Sequence, residues 1–253
     1  MNTLDHLPEK KPRPAAPAVG ALVAFGAHPD DIEFGCGGVI AREAQAGRRI
    51  HFVVGSRGEA GSNGTSAERG REARRAAAML GATVTFIDLG GDAHFEVRPA
   101  YAIKVAAILR KLRPAIVLAP SIVENQHPDH VVLGRLVRDA ARLARYGGLK
   151  ELRAVKPHAV GQLFFYAVTA EAEPSNLGRV LVDISAPEIV AQWRDAMSAH
   201  ASQLRTRDYV ELQVTRARLN GLRAGVGHAI PLFPSDGLVV DSLAALERAA
   251  RQF

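Results

Sequence analysis

Two short apolar runs constrain the fold of this chain more than any other feature. Residues 21–25 and 115–119 consist of apolar side chains and lack the alternation of polar and apolar residues that marks a strand exposed on one face. Strands that are buried on both faces of a parallel sheet have this pattern. The two runs therefore predict central strands of a sheet that helices cover on both sides.

The sequence between these runs alternates between helical and strand patterns. Helical patterns, with glycine or proline near their ends, occur at residues 34–46, 67–80 and 100–112. Strand patterns occur at residues 49–54 and 83–89. This β-α-β-α-β-α-β order predicts an α/β fold, a Rossmann-like three-layer sandwich with a mostly parallel sheet. In the last third, residues 162–168 and 179–184 are predicted strands, and residues 187–199 and 206–221 are predicted helices, the second one a single helix or a pair. The two strands and the helix or helix pair at residues 206–221 are expected to extend the sheet and to wall off one side of the ligand crevice.

A polar motif follows each of the two central strands. Ala-His-Pro-Asp-Asp at residues 27–31 follows the first predicted strand, and His-Pro-Asp-His at residues 127–130 follows the fourth. In the usual strand order 3-2-1-4-5 these strands are neighbours, and ligands bind in the crevice at their carboxyl ends. We therefore expect the active site at the C-terminal ends of strands 1 and 4.

The two motifs together contain the ligand types of a catalytic metal site. Such a site typically takes three His, Asp or Glu ligands and keeps one position open for water. Zinc fits this donor set best, with one ion per chain. Iron(II) and cobalt(II) suit the same donors, because affinity alone does not settle which metal a cell loads.

These motifs resemble those of a known family. AHPDDIEFGCGG at residues 27–38 and NQHPDH at residues 125–130 are similar to the LmbE-like, or PIG-L, family of zinc-dependent N-acetylglucosamine deacetylases, including the bacillithiol and mycothiol pathway enzymes. The resemblance extends from residue 19 to residue 233. Its further matches are RGEAG at residues 57–61, Arg69, Glu72, Asp92 and HASQ at residues 200–203.

The resemblance implies roles for five residues of the two motifs. His28, Asp31 and His130 would bind zinc, Asp30 would be the general base that deprotonates the attacking water, and His127 would stabilise the oxyanion or protonate the leaving amine. The chemistry agrees with this division. Adjacent side chains of an extended or turning segment point in different directions, so one carboxylate can face the ion and its neighbour the water.

Asp129 and four more distant side chains complete the predicted site. Asp129 would accept a hydrogen bond from a metal-ligating imidazole, with a helix N-cap as the alternative. The resemblance implies substrate contacts for Arg69, Asp92 and Glu59, and His228 occupies the place of a tyrosine in many relatives. Each has a structural alternative. Arg69 would belong to a solvated, arginine-rich helix face, and Asp92 would make an Asx-turn. Glu59 would be an exposed acid on a flexible lid, and the segment of His228 would have moved.

Three other residues are singled out by position. His200 lies at the end of a predicted helix, where a cation favours the helix dipole, although its surroundings also match the family motif. His94 is the one other histidine near a candidate site residue. Cys36, the only cysteine, excludes an internal disulfide framework and is predicted to be a small residue packed near a helix start.

Composition indicates one soluble domain. The chain has 253 residues, 47% of them hydrophobic, and lacks the roughly 18–20 consecutive apolar residues that cross a bilayer. Residues 1–18 are rich in proline and charge and predict a disordered tail, which leaves residues 19–253 as a single deacetylase domain. Without a signal-peptide hydrophobic region, the cytoplasm is the expected location.

The net charge of +6 is compatible with two kinds of ligand, nucleic acid and small anions. The arginines are scattered along helices and aromatic residues make up 6% of the chain, so nucleic-acid binding is not expected. A basic surface also attracts an anionic small substrate. Family resemblance further implies a homo-oligomer, a trimer or hexamer.

Three function classes follow. The leading one is a zinc-dependent hydrolase that removes an acetyl or another short acyl group from a glucosamine-containing small molecule. The alternative is a related zinc amidase acting on a non-sugar amide, such as a thiol S-conjugate or a natural-product intermediate. The third is a nucleotide-binding module, which the sequence disfavours because its first turn holds residues 28–31, His-Pro-Asp-Asp, instead of the G-x-G-x-x-G fingerprint.

Overall fold

The computed structural model describes residues 19–124 and 127–247. Within these ranges seven strands form one sheet, and six α-helices pack on its two faces. The strands are β1 (Leu22–Gly26), β2 (Ile50–Val54), β3 (Ala82–Phe86), β4 (Ile116–Pro120), β5 (Gln162–Tyr166), β6 (Val180–Asp183) and β7 (Ala229–Pro234). The helices are α1 (Asp31–Gln45), α2 (Ser66–Met79), α3 (Pro99–Leu112), α4 (Pro128–Leu143), α5 (Pro187–Ser198) and α6 (Tyr209–Arg223). The predicted tail, residues 1–18, lies outside the described residues.

The strand order is β3-β2-β1-β4-β5-β7-β6. Strands β1 to β5 are parallel, in the predicted order 3-2-1-4-5, whereas β7 runs antiparallel to β5 and β6. The predicted α/β fold with a mostly parallel sheet is therefore confirmed. Strand β7 was not predicted, because its sequence AIPLFP contains two prolines, which lack the N–H of a regular ladder.

Strand β1 shows how the core is divided between the two faces of the sheet. All five of its residues are buried. Leu22 and Ala24 pack in a cluster with α1, α2, α5 and α6, whereas Val23 and Phe25 pack in a second cluster with α3 and α4. The alternation of a strand thus supplies both cores of the three-layer sandwich.

Helix α1 begins at Asp31, three residues before the predicted start, so its glycines lie inside the helix. A Cβ on Gly35 would overlap the ring of Tyr166, and one on Gly37 would lie 2.7 Å from the Trp193 ring. The glycines therefore allow two large side chains to pack directly against the helix backbone. Tyr166 also donates a hydrogen bond to Phe25 O (2.7 Å), and Trp193 donates one to Glu33 O (2.7 Å). These contacts fix the N-terminus of α1 at the carboxyl end of β1.

Cys36 is fully buried in this packing, as predicted.

No helix within the described ranges has the length and the apolar content that a membrane span requires.

Candidate metal centre and catalytic cavity

Asp31 joins the two polar motifs. Its Oδ2 accepts hydrogen bonds from the backbone N–H groups of Ala27 (2.8 Å) and His28 (2.9 Å), which closes the turn after β1. Its Oδ1 lies 3.0 Å from Nε2 of His130 in the first turn of α4. Because β1 and β4 are neighbours, the motifs that follow them meet at the carboxyl edge of the sheet, as the strand order predicts.

Two groups of side chains at this edge have the composition of a metal site. The donor atoms of His28, Asp31 and His130 lie within 4.8 Å of one another, and all three residues are buried. A second group shares His28 and combines it with Asp92 and the exposed His127. The first group fits a resident cation better, because Nδ1 of His130 is buried and has no hydrogen-bond partner among the described residues. Two imidazoles and one carboxylate are also a common zinc donor set.

The electrostatics of His28 favour a cation at this position. Its Nε2 lies 3.0 Å from Asp92 Oδ1 and 3.3 Å from Asp129 Oδ2, and its Nδ1 lies 3.6 Å from Asp31 Oδ2. Burial alone would lower the pKa of His28, but hydrogen bonds with Asp129 and Asp31 raise it to about 12. Three carboxylates around one buried imidazole thus create a strong preference for positive charge, which a divalent cation satisfies.

Asp129 lies where the hydrogen-bond partner of a metal-ligating imidazole belongs. Besides its contact with His28, its Oδ2 accepts a hydrogen bond from Ala93 N (2.7 Å). The alternative of Asp129 as an N-cap is wrong, because His127 is the N-cap residue of α4. The Nδ1 of His127 accepts a hydrogen bond from Asp129 N (3.2 Å).

Asp30 occupies a strained backbone conformation beside the metal group. It is the N-cap residue of α1, with φ 115° and ψ −29°, and its side chain makes no capping hydrogen bond. Such a conformation costs about 1–3 kcal/mol and is typical of functional sites. The carboxylate instead lines the cavity and lies 3.3 Å from Nη2 of Arg69. Burial and the neighbouring Asp31 raise the pKa of Asp30 to about 7, whereas Arg69 acts to lower it.

Arg69 is buried, unlike the exposed arginines that follow it on α2. The interpretation of Arg69 as part of a solvated helix face is therefore wrong. Its guanidinium donates hydrogen bonds to Gly58 O (3.1 Å) and Pro29 O (3.1 Å), next to its contact with Asp30. A Cβ on Gly58, which has φ 69°, would overlap the guanidinium. The glycine-rich loop after β2 is thus folded closely over Arg69.

Glu59 and Asp92 hold two loops together. Oε1 of Glu59 accepts a hydrogen bond from Asp92 N (3.0 Å), and Oδ2 of Asp92 accepts one from Ala60 N (3.0 Å). A hydrogen bond from His28 is the largest cause that lowers the pKa of Asp92, to about 2. Asp92 lines the cavity, whereas Glu59 is not among the lining residues. The structure therefore assigns Glu59 to loop positioning, and its predicted substrate contact has no geometric support.

Two histidines of the sequence analysis lie away from the cavity wall. The backbone of His228 bonds to Ser185 Oγ (2.9 Å) and Ile184 N (3.0 Å), and the residue does not line the cavity. His228 directly precedes β7, and its predicted substrate contact stays a prediction without geometric support. His200 is fully buried, with Nε2 3.3 Å from Glu33 Oε1.

The cavity has a volume of about 740 Å³, and the helix predicted at residues 206–221 lines one side of it, as expected. Predicted site residues at its base are His28, Asp30, Asp31, Arg69, Asp92, His127 and His130. This side wall consists of residues 168–171 after β5, Gln203 and Arg207, and one face of α6. The sequence predicted its main helix but named none of its residues as site residues.

Comparison with known proteins agrees with this geometry. Residues 23–141 match the model of the PIG-L family, GlcNAc-PI de-N-acetylase. The structure of the conserved protein TT1542 from Thermus thermophilus is 32% identical, with a TM-score of 0.76 over 88% of this chain and 97% of that one. The chain belongs to the PIG-L family.

Three relatives of this PIG-L protein have names that bear on activity. They are 4-oxalmesaconate hydratase from Pseudomonas putida (32% identical over 53% of this chain), the uncharacterized deacetylase YaiS from Escherichia coli (31% over 57%) and diacetylchitobiose deacetylase from Thermococcus kodakarensis (28% over 58%). The matched segments span 56%, 72% and 60% of these relatives, respectively. The family thus includes deacetylases, which hydrolyse amides, and also a hydratase.

Proposed function

We propose that this PIG-L protein is a zinc-dependent hydrolase that removes an N-acetyl or other short acyl group from a glucosamine-containing small molecule. The observation that carries the proposal is the buried His28, Asp31 and His130 group with the carboxylate of Asp30 beside it in one cavity. The diacetylchitobiose deacetylase relative supports an acetylated amino sugar as the substrate.

Asp30 is the proposed general base. Zinc held by His28, Asp31 and His130 would supply a Lewis acid that polarises the acyl carbonyl and lowers the pKa of water to about 7. Asp30 then accepts the proton of the attacking water, because among the three aspartates that line the cavity it is the one that neither closes the turn nor bonds to His28. A pKa of about 7 matches a general base that works near neutral pH.

His127 is the proposed donor to the oxyanion. Its Nδ1 accepts a backbone hydrogen bond, so the proton of the neutral ring resides on Nε2. Burial and the neighbouring His28 and His130 lower the pKa of His127, which keeps the ring neutral at pH 7. A neutral Nε2–H donates a hydrogen bond to a developing negative charge. Of the two roles that the family resemblance implies, this geometry favours oxyanion stabilisation over protonation of the amine.

Arg69 is proposed to position Asp30 and to keep it ionised. Its three hydrogen bonds go to protein atoms, two of them in the turn that carries Asp30. A contact between Arg69 and substrate is secondary to this role. Asp92 lines the cavity, and its Oδ atoms bond to His28 and Ala60, so a sugar hydroxyl would have to share them.

We expect Arg69→Gln to lower kcat by about ten- to a hundredfold, the range for misplaced catalytic groups. Loss of the positive charge also raises the pKa of Asp30, so the base stays protonated to higher pH and the acidic limb of the pH profile moves upward. The control is Arg71→Gln, on the exposed part of the same helix. Equal pH profiles for the two variants would show that Arg69 does not act through Asp30.

The first measurement is amine release from N-acetylglucosamine conjugates and from non-sugar amides, with metal-free protein before and after addition of zinc. Zinc-dependent release from the sugars supports the proposal. Release from non-sugar amides alone would replace it with the amidase alternative. The hydratase relative adds a third arm, the loss of ultraviolet absorbance of the unsaturated tricarboxylate 4-oxalmesaconate, because the same residues can activate water for addition to a double bond. Hydration without amine release would exclude the deacetylase.

A further inference from the structure

One face of α6 extends the cavity beyond the metal group. Tyr209, Leu212, Arg216 and Leu219 all line the cavity, at the three- and four-residue spacing of a single helix face. This stripe runs from Tyr209 to Leu219, eleven residues whose ends are separated by about 15 Å at a rise of about 1.5 Å per residue. The ring of Tyr209 lies 5.8 Å from the ring of Phe34 in the first turn of α1. The stripe therefore starts beside the catalytic residues and is longer than one amino-sugar ring.

Two partly exposed leucines lie in this extension, beside the polar side chains Gln213 and Thr215 of the same helix. Leu212 and Leu219 are 41% and 48% exposed, and the segment after β5 adds Val168 and Ala170 to the same cavity. Leucines with that much exposed surface inside a cavity favour an apolar ligand, because ligand pockets bury such surface. Leu222, also on α6 and 64% exposed, does not line the cavity.

The charges of the extension do not select an anion. Arg216 lines the cavity, but its guanidinium donates hydrogen bonds to Glu173 Oε1 (2.6 Å) and to Ala167 O (3.0 Å). Its charge is therefore already compensated by a carboxylate. The remaining lining charges, on Glu171 and Arg207, are opposite in sign. An anionic aglycone thus finds no uncompensated excess of cations along α6.

We propose that the α6 extension binds an apolar aglycone, so that the substrate is an acylated glucosamine carrying an alkyl or aryl group. Leu212 and Leu219 are then specificity-determining residues. This inference rests on the proposed deacetylase function, and it replaces the expectation of an anionic aglycone with an apolar one.

The test compares kcat/KM for deacetylation of methyl and hexyl N-acetyl-β-glucosaminide. Each methylene removed from water is worth up to about fourfold in affinity, so partial burial of the hexyl chain predicts a hexyl-to-methyl ratio of about ten to a hundred. The double variant Leu212→Gln, Leu219→Gln is expected to lower this ratio by about three- to tenfold. Glutamine keeps the length and helix propensity of leucine, so the helix is retained.

Leu222→Gln is the matched control and should leave kcat/KM unchanged for both the methyl and the hexyl glycoside. A wild-type ratio near one would overturn the inference while deacetylation of the methyl glycoside upholds the function. No release from either glycoside would refute the function itself. The double variant could instead keep the wild-type hexyl-to-methyl ratio and sediment as a monomer where the wild type sediments as an oligomer. That result would show that the leucines contact a second copy of the chain and not the aglycone.

Discussion

Replacement of Asp30 by Asn is expected to lower kcat by about two to four orders of magnitude without loss of bound metal, as for removal of a general base. The substitution keeps the size of the side chain and removes its ability to accept a proton. The backbone should tolerate it, because asparagine and aspartate are the side chains that most readily adopt a positive φ.

The geometry predicts that this loss is chemical and not structural. The side chain of Asp30 makes no N-cap hydrogen bond, so helix α1 loses none in the variant. The amide oxygen of asparagine still accepts the hydrogen bond that Arg69 donates. Asp31, which closes the turn and contacts His130, is untouched. Asp30→Ala is a less suitable variant. The alanine side chain has no polar group to form a contact that offsets the strain of the backbone at φ 115°, so the protein would also be destabilised.

The measurement is single-turnover and steady-state amine release, with metal content by mass spectrometry and the melting temperature of each protein. Asp195→Asn, at an exposed position of α5, is the control for a change of carboxylate to amide. Undiminished kcat in Asp30→Asn would assign the base to another group. A parallel loss of metal would instead mean that Asp30 is a ligand.

The sequence predicted the base of the site because its residues follow from topology. Apolar runs without alternation identify buried parallel strands, and parallel neighbours bring the segments after them to one edge of the sheet. His28 and His130 therefore meet although they are far apart in the chain. The order of the first five strands followed from the same argument and is confirmed.

The parts that the sequence did not predict depend on side-chain packing. The apolar positions of α6 have a helical period, which does not distinguish a face that lines a cavity from one that packs in the core. Arg69 stands in a row of arginines, and only the fold of the glycine-rich loop shows that it alone is buried. The two prolines of β7 obscured its strand pattern, and His228 directly precedes this strand, outside the cavity lining.

Loss of bound metal is the second large effect expected, and it distinguishes between the two candidate ligand groups that share His28. Asp31→Asn and His130→Gln are expected to lose the bound ion, whereas Asp92→Asn and His127→Gln should retain it. Asp31 is 3% exposed and contacts both His28 and His130, which is the position of a ligand enclosed by the others. His127 is exposed, and its Nδ1 is occupied by a backbone hydrogen bond.

His130→Gln is the most informative of these variants. Asp31 also accepts two backbone hydrogen bonds, so its substitution weakens the turn as well as the metal site. The buried Nδ1 of His130 has no hydrogen-bond partner within the described residues, so the substitution removes the imidazole and its one contact, from Nε2 to Asp31 Oδ1, and leaves the turn hydrogen bonds in place. Metal content after dialysis against a weak chelator should therefore fall, and the melting temperature of the metal-free protein should fall less than that of Asp31→Asn, which also weakens the turn.

Zinc titration completes the comparison. A ligand that binds only the folded state stabilises it by about 2.7 kcal/mol at a hundredfold excess over its Kd, so wild type and Asp92→Asn should gain melting temperature with zinc. His130→Gln should not, and His94→Gln, an exposed histidine outside both groups, should behave as wild type. Because Asp92 bonds to His28, its variant is expected to bind zinc about ten- to a hundredfold more weakly, as for a residue that orients a ligand. The reverse pattern, with zinc stabilising His130→Gln and not Asp92→Asn, would move the metal to His28, Asp92 and His127 and leave Asp31 as the residue that closes the turn.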